Sequence, residues 1–148
     1  MSGTTHQFPQ FSPFAYFGDS VTLDVDGFQI TARLEQDTDA HIDGDDAHNE
    51  DQSVTGCTDE QFVDLITARA AWFADEWRYC GIVLSVSRAG ITLDDHAASL
   101  WSVEMNYPKS SNEYLAICAD EMIDQALTAG RDALERLATA ELFERFPL

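Results

Sequence analysis

The chain has 148 residues, the size of one domain with its own core, and its 45% hydrophobic and 11% aromatic content is globular, which excludes a wholly disordered acidic tail. Charge sets it apart: 27 Asp and Glu against 8 Lys and Arg give a formal net charge of −19. Such a surface repels phosphate backbones and anionic lipid and attracts basic surfaces over a range that salt shortens, so nucleic acid and membranes are excluded as direct partners.

The first residues carry no basic segment followed by an apolar one, and no run approaches the roughly 18 apolar residues of a membrane span, so neither secretion nor insertion is expected. Cys57, Cys80 and Cys118 are odd in number and form no CxxC pair. A disulfide framework is not expected, and a reducing cytoplasm fits this usage. Residues 1–18 form an aromatic N-terminal arm, with Phe8, Phe11, Phe14, Tyr16 and Phe17 interleaved with Pro9 and Pro13. Beyond it Val21, Leu23 and Val25 alternate, Asp26-Gly27 supplies a turn, and Phe28, Ile30 and Ala32 alternate again, which predicts a β-hairpin.

Residues 35–60 contain ten acidic side chains and no Lys or Arg, with Gly44 and Gly56 and few apolar residues, and read as an exposed acidic loop. Thr58 with Gln61 is a capping box, and Phe62, Leu65, Ile66, Arg69, Ala70 and Phe73 recur at helical spacing, predicting a helix that ends near Trp77. Three strands follow: Tyr79 to Ser87, a return through Ile91 and Leu93 after Ala89-Gly90, and Ala98 to Met105. Ser110 with Glu113 is read as a second capping box, opening one long helix whose apolar stripe runs from Leu115 through Cys118, Met122 and Ala126 to Leu137. The order ββαβββα predicts a single α+β domain over 1–148, an antiparallel sheet of about five strands with two helices packed on one face. Its αβββα part has the topology of double-stranded RNA-binding domains, but those reach phosphates with basic surfaces, which this charge rejects.

Several patterns invite chemistry. From Asp39 to Glu50, oxygen ligands at loop positions 1 and 5, glycine at 6 and glutamate at 12 follow a calcium-loop spacing, although His41 replaces one oxygen ligand and a strand precedes the loop in place of a helix. A calcium- or metal-binding module is therefore an alternative reading, as is a structural or assembly protein that pairs through the aromatic arm. His41 and His48 among aspartates suit a transition metal only if the loop is rigid. Cys118 sits on an apolar stripe, Cys80 starts a buried strand and Cys57 lies among acids that raise a thiol pKa, so none reads as a nucleophile. Asp94-Asp95-His96 reads as a polar turn, and phosphate loops, HExxH and GxSxG are absent. The expectation is a protein that is not an enzyme and takes no cofactor.

Two groups of carboxylates remain as the expected partner-binding residues. Asp37, Asp39, Asp43, Asp45, Asp46, Glu50 and Asp51 belong to the loop; Glu113, Asp120, Glu121 and Asp124 fall off the apolar stripe of the last helix. Like charges at i,i+4, such as Asp120 and Asp124, weaken a helix, and a merely solvated face usually mixes signs.

The run Glu76-Trp77-Arg78-Tyr79-Cys80-Gly81-Ile82-Val83-Leu84-Ser85-Val86-Ser87-Arg88, then Gly90-Ile91-Thr92-Leu93, Asp95-His96-Ala97-Ala98-Ser99-Leu100-Trp101, Asn106-Tyr107-Pro108 and Asn112-Glu113-Tyr114-Leu115, resembles a family of uncharacterised accessory proteins carried by bacterial phages and plasmids. The hairpin exit Arg33 to Asp39 fits the same pattern, and relatives often carry glycine where Ser102 stands. The resemblance carries over no activity, but it implies a habitat in which small acidic proteins inhibit host defence. Some such inhibitors, anti-CRISPR or anti-restriction, imitate DNA. The expected partner is thus a basic nucleic-acid-binding protein or complex of the host.

Overall fold

The computed structural model describes residues 6–40 and 58–145. Among these the elements are β1 (Ser20–Val25), β2 (Phe28–Gln36), α1 (Asp59–Phe73), β3 (Arg78–Arg88), β4 (Ile91–Met105), α2 (Glu113–Asp120) and α3 (Ile123–Arg145). The class is α+β with one antiparallel meander in the order β1-β2-β3-β4. Among the described residues no helix is long and apolar enough to cross a membrane.

The hairpin turns follow from residues that tolerate left-handed backbone. Asp26 and Gly27 take φ of 53° and 85°, closing β1 on β2 with Val25 opposite Phe28. Ala89 and Gly90 take 51° and 79° between β3 and β4. Both pairs have the double positive φ that matches the twist of two antiparallel strands. Alternation then directs one side of the sheet inward: Phe28, Ile30, Ala32 and Leu34 of β2 and Cys80, Ile82, Leu84 and Val86 of β3 are buried under α2 and α3. On α3, Ala126, Leu127 and Ala133 face this core, and Gly130 lets the helix approach so closely that an added Cβ would sit 3.0 Å from Val86 and 3.1 Å from Phe28.

Four strands replace the expected five because the two short strands after Gly90 are one. Leu84 pairs with Ala98 and Val86 with Asp94, so Asp95, His96 and Ala97 stand against Ser85 alone. Lower down, Ile82 pairs with Leu100 and Cys80 with Val103, so Trp101 and Ser102 stand against Gly81. Nearer the turn Val86 pairs with Asp94 and Ser87 with Thr92, which leaves Leu93 over; three register shifts absorb the surplus residues, and the ladder resumes after each. Asp94-Asp95-His96 is therefore an irregularity inside β4, in place of the expected polar turn. Ser102 takes φ 61°, in the left-handed region that favours glycine.

Three helices replace the expected two. At Met122 the backbone N–H donates to Ala119 O (3.0 Å), a tighter i−3 turn that brings the adjacent side chains of both Met122 and Ile123 into the core and separates α2 from α3. The second expected capping box does not form. Asn112 is the N-cap, with φ 64° and no side-chain cap bond, while Ser110 Oγ accepts from the Asn112 N–H and Glu113 accepts from Ser111. The first box is present: Thr58 Oγ1 accepts from the Gln61 N–H (3.2 Å) and Gln61 Oε1 from the Thr58 N–H (2.9 Å). Helix α1 stops at Phe73, short of Trp77, with Asp75 in the left-handed region at φ 64°.

The aromatic arm is part of the core. Phe8, Phe11 and Ala15 are buried, whereas Phe14 and Tyr16 remain exposed. A buried polar lock fastens it. Asn112 Nδ2 donates to Pro13 O (3.0 Å), Ser12 O (3.3 Å) and Asn106 Oδ1 (2.8 Å), and Asn106 exchanges two bonds of 2.8 Å with the backbone of Ala15.

Candidate protein-binding surface

The acidic segment departs from the end of β2, and its first carboxylate is tied down. Asp37 Oδ2 accepts from the Ser102 N–H (2.8 Å), and Oδ1 accepts from the N–H groups of Asp39 and Ala40 (3.1 Å each). Desolvation pushes this carboxyl up, but the backbone donors, Ser102 first, outweigh it and hold the group below its ordinary value. Asp37 thus pins the start of the segment to the lower bulge of β4. Asp39 stands exposed beside it. A cleft of about 490 Å³ runs between Gln36–Ala40 and Trp101 and Ser102.

Trp101 reaches that cleft by lying against the backbone of Gly81, where a Cβ would come within 2.2 Å of the indole. Its N–H donates to Ser99 Oγ (3.1 Å), and His96 stacks beside it with ring centroids 6.5 Å apart. The bulge produces this arrangement, and a sequence pattern of strand alternation gives no signal for it. The only signal was the glycine in an otherwise large, β-branched strand.

The helical carboxylates divide. Glu113, Glu121 and Asp124 are exposed, but Asp120 Oδ1 accepts from the Phe8 N–H (2.7 Å), so this carboxylate holds the N-terminal arm. The turn at Glu121–Met122 interrupts the row, with Glu113 and Asp120 on α2 and Asp124 on α3. Farther along α3, every side chain from Glu135 to Ala140 is exposed as the helix passes beyond the sheet. Asp43, Asp45, Asp46, Glu50 and Asp51, with His41, His48 and Cys57 and most of the calcium-like spacing, lie outside the described residues. Among the described residues no group of three or more His, Cys, Asp or Glu side chains is placed to hold a metal ion.

Five of the described cations are engaged locally. Arg33 pairs with Glu35 (2.6 Å) and lies 3.6 Å from Asp95; Lys109 pairs with Asp64 (3.0 Å), Arg131 with Asp26 (3.3 Å), and Arg78 with Asp75. Arg88 lies over the Phe28 ring, 5.0 Å from its centroid. Exposed pairs of this kind add about 0–1 kcal/mol to stability, but each cation is held beside a neighbouring group and is a poor contact for an outside phosphate. Glu104 is half-buried, and desolvation raises its pKa.

The remaining candidates are structural. Desolvation pushes the buried Cys80 thiol up to about 12, with Asp37 and Cys118 adding to the shift, and burial also raises Cys118; neither is an activated nucleophile. Trp72, Trp77, Tyr79 and Tyr107 form one cluster with centroid spacings of 4.9–5.6 Å, and the Trp77 indole donates to Ala68 O (2.7 Å). That cluster joins α1 to the rest of the fold. Neither a protein-family model, nor a curated protein, nor a solved structure matches this chain.

Proposed function

We propose that this protein is a non-enzymatic acidic inhibitor of the kind carried by mobile elements, and that it occupies the basic nucleic-acid-binding surface of a host defence complex in place of DNA. The observation that carries the reading is the imbalance of exposed charge. Four of the eight cations, Arg33, Arg78, Lys109 and Arg131, are paired with carboxylates, while Glu113, Glu121 and Asp124 point to solvent within a total of −19. Uncompensated carboxylates on a folded frame attract a basic channel from a distance and stand where phosphates would. The habitat, and with it the defence target, comes from the family resemblance.

We assign two contributions. Glu113 and Asp124 are mounted on helices anchored in the core, Glu121 stands in the turn between them, and these three supply shape, whereas the acids of 39–51 supply long-range attraction. The test is capture of the partner from a bacterial host lysate at low salt, followed by competition. Duplex DNA should displace the protein from its partner, and affinity should fall steeply with added salt. A captured complex that still binds DNA normally would refute mimicry.

A further inference from the structure

The cleft between Gln36–Ala40 and Trp101 and Ser102 has a volume of about 490 Å³, within the ~300–1,000 Å³ of sites that take small ligands. Its hydrogen-bond inventory is one-sided. The backbone N–H groups of Asp39, Ala40 and Ser102 all donate to Asp37, and the Trp101 indole N–H donates to Ser99 Oγ. These four donors are committed within the fold, so an anion entering the cleft finds none of them free. Two features stay open. One is the indole of Trp101, set against the Gly81 backbone and flanked by His96, yet 40% exposed. The other is the negative charge of Asp37: the groups that donate to it are neutral, its lowered pKa keeps it ionised, and none of the ion pairs among the described residues includes it. Arg33, on the same side of the sheet, is taken by Glu35 (2.6 Å) and the Asp95 carbonyl (2.9 Å).

An electron-rich ring beside a fixed carboxylate charge is complementary to a cation. Arginine suits it better than lysine, because a planar guanidinium stacks on an indole while keeping its donors at its edge, whereas an ammonium is a compact, strongly hydrated point charge. We propose that this cleft receives an arginine side chain of a partner protein, with the guanidinium stacked on Trp101 in the field of Asp37. Asp37 acts through its charge alone, since its oxygens already accept from the backbone. A second copy of the chain is a poor source of that arginine, because it would bring another −19 against this one. The site rests on the proposed basic partner and adds to it one specific contact that rows of exposed carboxylates do not supply.

The test uses the full chain and three capped peptides that differ only in a central arginine, citrulline or lysine among glycines, in about 0.15 M salt, where attraction by the net charge is screened beyond about 8 Å. Titration followed by nuclear magnetic resonance at the Trp101 indole N–H and the backbone N–H groups of Thr38 and Ser102 should saturate. The arginine peptide should bind roughly tenfold more tightly than its neutral citrulline isostere, and more tightly than the lysine peptide. Trp101→Leu leaves the charge unchanged at an exposed position and should remove the arginine preference at Thr38 and Ser102 while the thermal unfolding transition persists. Equal affinity for arginine and citrulline on the unaltered chain overturns the proposal without need of a variant. So does a preference that Trp101→Leu retains, which gives it to net charge, and so does lysine binding as tightly as arginine, which gives it to a point charge. Concentration-dependent dimerisation lost in Trp101→Leu assigns the cleft to a second copy, and an arginine preference seen only after residues 41–57 are replaced by a Gly-Ser linker assigns it to the chain itself; either overturns the proposal. No DNA and no host partner enter this titration, so its failure leaves mimicry standing, and failure of the DNA competition leaves the cleft standing.

Discussion

Asn112 is fully buried; its two Nδ2 hydrogens are shared among the carbonyls of Ser12 and Pro13 and Asn106 Oδ1, and its Oδ1 accepts from the Asn106 N–H, so its removal leaves the two carbonyls and the Asn106 N–H short of partners. Asn112→Ala should cost about 2–4 kcal/mol in urea unfolding, several times the net value of one ordinary hydrogen bond; a change below about 0.5 kcal/mol would show that the lock contributes nothing. Gly81 makes the complementary case, since any side chain there meets the Trp101 ring. Gly81→Ala should cost about 1–3 kcal/mol and alter the near-ultraviolet dichroism of the indole, and an unchanged spectrum would contradict the contact. For Asp37 the sign follows from its lowered pKa. Its stabilising bonds are fully present above 3.8 and are lost as pH falls through the lower value in the folded protein. The Tm deficit of Asp37→Asn should therefore be constant above about pH 5 and close below 3.8; a deficit that persists in acid contradicts this role. None of these three roles was legible in the sequence, because each depends on which distant backbone arrives beside the residue.

At the scale of elements, local chemistry was legible and tertiary choice was not. Asp26-Gly27 specified its hairpin, and Thr58 with Gln61 specified the start of α1, because both signals act within four residues. The length of β4 was hidden because Asp95 to Ala97 and Trp101-Ser102 look like strand breaks and are bulges. The separation of α2 from α3 was hidden because Met122 and Ile123 both suit an apolar stripe, and only the sheet beneath draws both inward. The face of α1 was misleading for the opposite reason: its small alanines pack while its large side chains stay outside. The arm supplies a test of packing at this scale. Phe11→Ala should destabilise the protein by about 3–5 kcal/mol, as expected for an aromatic core residue, whereas Phe14→Ala, at an exposed site, should change stability little. Equal effects would place the arm outside the core.

Across the whole molecule the net charge of −19 works against the compact state. Raising ionic strength from about 0.01 M to about 0.3 M shortens the reach of that repulsion, so Tm should rise with salt in the free protein. Binding to the partner should respond in the opposite direction, since there the charges attract. Of the carboxylates read from the sequence as the contact, Asp37 and Asp120 hold the fold together, and Asp39, Glu113, Glu121 and Asp124 are left exposed on the surface. The most direct measurement is competition between this protein and duplex DNA for the captured host partner across a salt series. The account predicts mutual exclusion, with affinity for the protein falling steeply as salt rises, and further weakening when Glu121 and Asp124 are both changed to their amides. Simultaneous binding of DNA and protein, or an affinity indifferent to salt, would contradict it.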